Sequence, residues 1–365
     1  MGIYSTIVRP LAFCLEAEQA HHLAIKLGAN MAWGAGALHP WLAVSEPRLA
    51  TTVAGIRFPH PIGLAAGYDK SALSVEALAA LGFGSVEIGS ITIDASDGNP
   101  KPRLWRLPLD RAVVVHYGMP NDGAAAVRDR IAHLHLPVPL GVNIAVTNRG
   151  IGAPPLTADQ IVEEYAASAR MLSPHADYLM LNMSCPNTED GRDFFAERAH
   201  IEACLAALGQ IGLKIPVFMK VSPLGGVEAV ERVLAAAEGH SIVSGFMFNL
   251  SPHKPPGLRT PDAVVRTMPG AISGPAACSR LTDECIAECY RRMDRQRFVL
   301  VGAGGVFTAE DAYAKIRKGA SLVQLLTAMV YEGPLLARRI ARGLAQLLER
   351  DGVKNVADAV GVDVR

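Results

Sequence analysis

The chain has no surplus of charge of either sign: 35 Lys and Arg offset 35 Asp and Glu, for a formal net charge of zero. Nucleic-acid binding driven by a basic surface is therefore not expected. Charged residues make up only 19 % and aromatics 6 %, while half of the residues are apolar. That balance excludes a disordered chain, which has too little apolar surface to bury. At 365 residues the chain is long enough for one large domain with a deep core. The six cysteines, Cys14, Cys185, Cys204, Cys278, Cys285 and Cys289, form no CxxC pair and no zinc-like spacing, and no metal site is expected. They read as buried or surface thiols in a reducing cytosol, with Cys285 and Cys289 on one face of a helix. No signal-peptide pattern occurs, and no apolar run is long enough to span a bilayer. No GxGxxG opens a βαβ unit, so the dinucleotide-binding signature is missing too.

What is present is an alternation. Apolar runs occur at Ile62–Gly67, Ser85–Ser90, Leu140–Ala145, Tyr178–Ser184, Pro216–Ser222, Gly245–Ser251, Phe298–Gly304 and Leu322–Thr327. They are apolar throughout, as strands covered on both faces are. Helical segments separate them: Ser71–Leu81, Asn121–Leu134, Thr157–Leu172, Arg198–Ile211, Val227–Glu238, Ser279–Met293, Ala309–Lys318 and Pro334–Arg350. Thr157 with Gln160 fits a capping box, and Thr308 with Asp311 a looser one. Eight strands alternating with eight helices predict an α/β chain folded as a (β/α)8 TIM barrel over residues 43–365; a doubly wound open sheet is the rival. Residues 1–42 form an N-terminal helical extension. Thr6–Phe13 and Glu16–Met31 read as two short helices, followed by a Gly/Ala-rich link flanked by Trp33 and Trp41. The extension is either a cap packed on the barrel or an amphipathic surface that dips into lipid.

In such a barrel the working residues stand at the C-terminal ends of the strands. The first strand runs into Ala65-Ala66-Gly67-Tyr68-Asp69-Lys70, where small residues let a flat ligand approach the backbone. Lys70 either reaches over the barrel mouth or is a solvated surface lysine. The fourth runs into Asn182-Met183-Ser184-Cys185-Pro186-Asn187. Cys185 is either a small buried hydrophobe or an exposed thiol acting as a base once its pKa is lowered. Lys220, inside an otherwise apolar strand, must meet an anion: a cofactor that becomes negative, or a barrel carboxylate. The seventh strand ends in Gly302-Ala303-Gly304-Gly305 and the eighth in Thr327. Amides freed by glycine at that position suit a phosphate. Together these features suggest a flat, phosphate-bearing cofactor, with FMN fitting better than a dinucleotide.

At these residues the sequence resembles the dihydroorotate dehydrogenases over nearly its full length. The stretches are LAAGYDK, GFGSVEIGSIT, KPRLWRL, Gly141–Asn143, NMSCPNT, Phe218–Lys220, VGAGGV and GASLVQL. FCLEAEQAHHLA and DAVGVD are similar to the quinone-using, membrane-associated branch. The resemblance implies an FMN enzyme of pyrimidine biosynthesis that oxidises (S)-dihydroorotate to orotate and passes the electrons to a quinone. It implies a cytoplasmic protein held peripherally, through its N-terminal helices, on the inner face of the cell membrane. Ala65, Ala66, Gly67 and Ser90 would line FMN; Asn143, Asn182 and Lys220 would touch the ring, Lys220 favouring the reduced anion. Ser273, Gly274, Gly304, Gly305 and Thr327 would hold the phosphate region. Lys70, Asn182, Asn187 and Asn249 would contact substrate, Cys185 would be the base, and His21 and Arg106 would line the quinone site.

The chain also departs from the family pattern. Cys185 stands where the quinone branch carries Ser. Val115 and Pro120 replace two Asn, the first a contact to substrate and flavin, and Leu250 replaces a Thr. Ala145-Val146-Thr147-Asn148 replaces GKNK, and Leu326 replaces a quinone-site Tyr. Each lost polar contact leaves a substrate group unpaired, at roughly 1–3 kcal/mol. The alternatives are a related flavin desaturase acting on a less polar cyclic amide or lactam, and an FMN-binding module without turnover.

Overall fold

The computed structural model describes residues 2–184, 194–249 and 254–364, except for the side chains of 275–278. Eight parallel strands close into a barrel: β3 (Ile62–Leu64), β4 (Ser85–Ile91), β7 (Leu140–Ile144), β8 (Tyr178–Asn182), β9 (Val217–Val221), β10 (Val243–Phe248), β12 (Val299–Ala303) and β13 (Ala320–Leu325). Each expected run contains its strand, apart from β10 and β13, which each start two residues earlier, and β4, which runs one residue further. Two expected ends lie past their strands: Gly304 begins the loop after β12, and Thr327 begins a helix, Thr327–Glu332. The open doubly wound sheet is thereby ruled out, because β13 pairs with β3 and closes the ring.

Alternation along the strands sorts the interior. Val86, Ile88, Leu179, Leu181, Val217 and Met219 join the shell between strands and helices. Tyr178, Met180, Phe218, Met247, Val301 and Leu322 point the other way and form an apolar plug. The hairpin of β1 (Thr51–Val53) and β2 (Ile56–Phe58) seals that plug with Val53 and Phe58. Above it the same inward rows carry polar groups: Glu87, Asn143, Asn182, Lys220 and Gln324, all buried. The strands looked wholly apolar in sequence because five of them contribute only one such residue each, among several hydrophobes, and β3, β10 and β12 contribute none.

Helices occupy every expected segment, and both capping boxes form, at Thr157 with Gln160 and at Thr308 with Asp311. A three-stranded antiparallel sheet was not anticipated: β5 (Leu104–Leu107), β6 (Ala112–Val115) and β11 (Ala271–Ser273). It places Val115 opposite both Leu104 and Ala271, and Ser273 opposite Val113.

Among its described residues the extension is helical except at Gly2, the extended Leu15–Glu16 pair and a turn at Met31. A π-helical turn at Tyr4–Val8 leads into α1 (Arg9–Cys14), then α2 (Ala17–Asn30) and α3 (Ala32–Leu42). The expected Gly/Ala-rich link is thus a helix, despite Gly34, Gly36 and Pro40, and it packs on the helix Val75–Ala80. Its alanines favour helix, and tertiary contact overrides the weak formers. Gly28 allows α2 its close approach, since a Cβ there would lie 3.0 Å from Ser74 Cβ. Tyr4 donates to Val330 O at 2.7 Å and Arg9 to Tyr331 O at 3.0 Å, tying the start of the chain to the helix Thr327–Glu332. On α2, Glu18 is buried and accepts from Arg103 Nε at 3.1 Å and Nη2 at 2.8 Å, which locks the extension to the barrel.

Candidate functional site

One cavity of about 1180 Å³ runs from the barrel mouth to the N-terminal helices. Of the residues expected at the site, Ala65, Ala66, Gly67, Lys70, Ser90, Asn182, Lys220, Asn249, Ser273, Gly304, Gly305 and Thr327 line it, and so do His21 and Arg106. Two do not reach the wall. Asn143 is fully buried one layer behind Ser90, and Gly274 packs against Ala112 at the start of the helix Pro275–Arg292. Cys185, Asn187 and Leu250 lie outside the described residues.

The barrel floor of the cavity is a shelf of backbone. Gly67 and Gly89 both hold φ above +100°, a conformation that favours glycine. A Cβ at Gly89 would lie 2.4 Å from the backbone O of Asn143 on the neighbouring strand, so only glycine fits there. At its far edge Gly304 and Gly305 take φ of +82° and +73°, beside Ser273 Oγ and Thr327 Oγ1, which are 2.6 Å apart. Hydroxyls and glycine-freed amides of this kind suit a phosphate. Asn182 and Lys220 are register partners on β8 and β9, so their side chains leave the sheet on the same side. Lys220 brings an ammonium, only 6 % exposed, to the barrel side of the wall beside Asn182.

Lys70, expected on the substrate side, and His21, expected on the acceptor side, meet. Asp69 pins the loop after β3 by accepting from the amides of Leu73 at 2.9 Å and Ser74 at 2.7 Å. Lys70 then points toward α2, its Nζ 3.4 Å from His21 Nε2 and 4.0 Å from the centre of the Tyr117 ring. It is neither a solvated lysine nor a distant one. Burial lowers its pKa to about 8, against the pull of Asp69 and Glu18. Burial, then Lys70 and His22, hold His21 well below its usual value, so the imidazole is neutral. Arg106 lies across the tunnel with its guanidinium 4.4 Å from the Phe13 ring centre, donating to the carbonyls of Ala12 and Leu15. The remaining tunnel wall is apolar: Val8, Phe13, Ala20, Leu23, Ala24 and Leu27 from the extension face Val115, Leu326 and Val330.

Sequence reasoning missed Glu87, Tyr178 and Gln324, which support the wall from behind. Asn143 Nδ2 donates to Glu87 Oε1 at 2.9 Å; Tyr178 OH and Gln324 Nε2 donate to Glu87 Oε2 at 3.1 and 2.7 Å. The signal was a carboxylate in the otherwise apolar run Ser85–Ile91. Taken together, the wall can hold a flat ring on a glycine shelf, its anionic tail at Ser273 and Thr327, with a second ligand reached through the helices.

A family profile described as dihydroorotate dehydrogenase matches residues 48–348. The chain is 41 % identical to a dihydroorotate dehydrogenase (quinone) of Sphingopyxis alaskensis, covering 97 % of this chain and 96 % of that one. It is 38 % identical to the protein of the same description from Natronomonas pharaonis, over the full length of both. Among solved structures, the Eimeria tenella dihydroorotate dehydrogenase in complex with ferulenol superposes with a TM-score of 0.82 at 28 % identity, over 95 % of this chain and 96 % of that chain. With the profile covering the barrel and full-length relatives at this identity, the chain belongs to the dihydroorotate dehydrogenase family.

Proposed function

We propose that the protein is an FMN-dependent dehydrogenase that oxidises (S)-dihydroorotate to orotate for pyrimidine biosynthesis and delivers the electrons to a quinone. The observation that carries this reading is the single cavity joining the glycine shelf to an apolar tunnel through the N-terminal helices. A soluble two-electron acceptor would not need such a lining, whereas a hydrophobic quinone would. Full-length relatives described as quinone-dependent support the same reading.

The shelf fits FMN: it has glycines in left-handed backbone, a hydroxyl pair and glycine-freed amides for a phosphate, and buried acceptors on Asn182 and Gln324 that no described protein group satisfies. When bound, FMN supplies the hydride acceptor and then the electron source for the second substrate. The chain's own part is to place and polarise. Cys185, following directly on Ser184 after β8, takes the proton alpha to the substrate carbonyl at its Sγ. Lys70 and Asn249 hold the anionic substrate, and Asn182 serves both ligands. Lys220 neutralises negative charge developing at the ring.

Exposed large hydrophobics concentrate in the extension, among them Ile3, Ile7, Leu11, Leu27, Met31, Trp33 and Trp41. Trp33 and Trp41 are 91 % and 77 % exposed, and aromatics of this kind favour the lipid interface. Among the described residues no helix is long and apolar enough to cross a membrane. We therefore assign the helices a peripheral contact with the inner face of the cell membrane, where they admit the quinone.

The test is an anaerobic absorbance spectrum of the purified protein before and after dihydroorotate, then after a quinone. Bleaching of a flavin band by the first and its return with the second is expected. A flavin band that dihydroorotate leaves untouched would overturn the substrate, though not the cofactor. That outcome would favour a second reading, oxidation of a less polar cyclic amide or lactam, for which Val115 and Pro120 on the cavity wall argue.

A further inference from the structure

We infer that Glu87 is a positioning residue that sets which way the hydrogen bonds run at the ligand wall, so that Asn182 and Gln324 both present acceptors to the ring bound there. The inference rests on the FMN reading of the cavity. Its basis is a chain of contacts with one fixed end. Glu87 is 1 % exposed, and two amide groups, of Asn143 and Gln324, turn their nitrogens to its carboxylate. A carboxylate offers oxygen to both at once, which no other side chain of that size does.

The sense then propagates. With Asn143 Nδ2 on Glu87, Asn143 Oδ1 accepts from Ser90 Oγ at 2.5 Å. Having given its one proton away, Ser90 Oγ can only accept, and it does so from Asn182 Nδ2 at 2.8 Å. Asn182 Oδ1 is left buried with no partner among the described residues. By the shorter branch, Gln324 Nε2 on Glu87 leaves Gln324 Oε1 buried and equally without one. Both residues line the cavity. Two acceptor oxygens thus await N–H donors, and a ligand class that carries them is a flat imide-bearing ring, as in an isoalloxazine or a dihydropyrimidine.

Glu87→Gln is the discriminating change, because it keeps shape and size while making one of the two positions a donor. Whichever amide then turns to meet it, one cavity acceptor becomes a donor: Gln324 directly, or Asn182 through Asn143 and Ser90. Apoprotein is titrated with FMN by fluorescence quenching, its thermal midpoint is recorded, and the KM for dihydroorotate is separated from kcat in the reloaded enzyme. The expectation is FMN affinity or substrate KM worsened about tenfold or more, as for one buried group left unpaired, with the apoprotein midpoint little changed. The double variant Glu87→Gln with Gln324→Glu moves the carboxylate across one hydrogen bond. The carbonyl of the amide introduced at position 87 then faces Asn143, and most of the loss should be recovered. Tyr178→Phe removes a donor to Glu87 and the longer, 3.2 Å acceptor of Gln324 Nε2, but leaves that amide nitrogen on Glu87, and should leave affinity within about twofold of wild type.

Wild-type binding by Glu87→Gln would overturn the inference, as would a double variant no better than the single one. Equal damage from Tyr178→Phe would show general loosening instead of a set direction. If Glu87→Gln does not fold, the comparison of the double variant with Tyr178→Phe decides alone. A wild-type apoprotein that takes up no FMN would instead sink the cofactor reading.

Discussion

Replacing Glu18 by alanine should free the N-terminal helices from the barrel while leaving the barrel folded. Glu18 and Arg103 are 2 % and 7 % exposed, and they meet through Nε at 3.1 Å and Nη2 at 2.8 Å. Lys101 adds charge from 3.7 Å, and His22 Nε2, its pKa lowered by burial, lies 3.6 Å away. Removing one partner of a buried pair costs roughly 3–5 kcal/mol, because the other charge stays behind. Arg103 keeps the carbonyls of Asp97 and Asn99, so the lower end, about 3 kcal/mol, applies. That is about a hundredfold in the undocking equilibrium. Amide hydrogen exchange reads it directly: amides of Ala17–Asn30 should exchange about a hundredfold faster, with those of β8 and β9 unchanged. Unaltered protection, or a rise spread evenly over the chain, would refute the reasoning. Replacing both residues by Met should restore most of the docking, since an apolar pair carries no stranded charge. Acid should mimic the single variant. Burial alone would raise the Glu18 pKa, but Arg103, with Lys101 and His22, holds it below the ordinary 4.5. The docking energy is therefore complete above that value and is lost as pH falls through the depressed folded pKa.

Three further outcomes are expected. The Lys70 ammonium, with its pKa lowered by burial to about 8, is lost as pH rises through that value, so the KM for anionic dihydroorotate should climb above it by up to about tenfold per unit. Lys70→Arg, which keeps its charge, should flatten the profile, and a profile identical in both would count against an ammonium role. Gly141→Ala places a Cβ 2.2 Å from the Tyr178 ring inside the plug, and should lower the thermal midpoint by several degrees, as overpacking by about 1–3 kcal/mol does. Deleting residues 1–42 should abolish quinone reduction while FMN stays bound, and surviving quinone turnover would show that the tunnel is not the acceptor's route.

Much of this molecule could be read along the chain, and the reason is that a strand or helix declares itself over a short window of neighbouring residues. The apolar runs from Ile62 to Thr327, the helix starts at Thr157 and Thr308, and the glycines at 67, 304 and 305 are local facts, and each produced the element or turn expected of it. Most of the described residues expected at strand ends line one cavity, because a barrel brings those ends to one mouth. The sheet of β5, β6 and β11 was invisible: Val115 pairs with Ala271, and no short window contains both. The segment after Met31 looked like a link because glycine and proline weaken a helix, and only its contact with the helix Val75–Ala80 stabilises one there.

The sequence by itself therefore determined the barrel and the list of groups at its mouth, through periodicity and strand ends. Tertiary structure alone decided how those groups stand toward one another. It set Lys70 against His21, put Asn143 behind Ser90 and made Glu87 the origin of a directed chain of hydrogen bonds. Hydrogen-bond direction depends on which atoms lie within about 3 Å in space, and residues 87, 143, 178 and 324 are neighbours only once the ring of strands has closed.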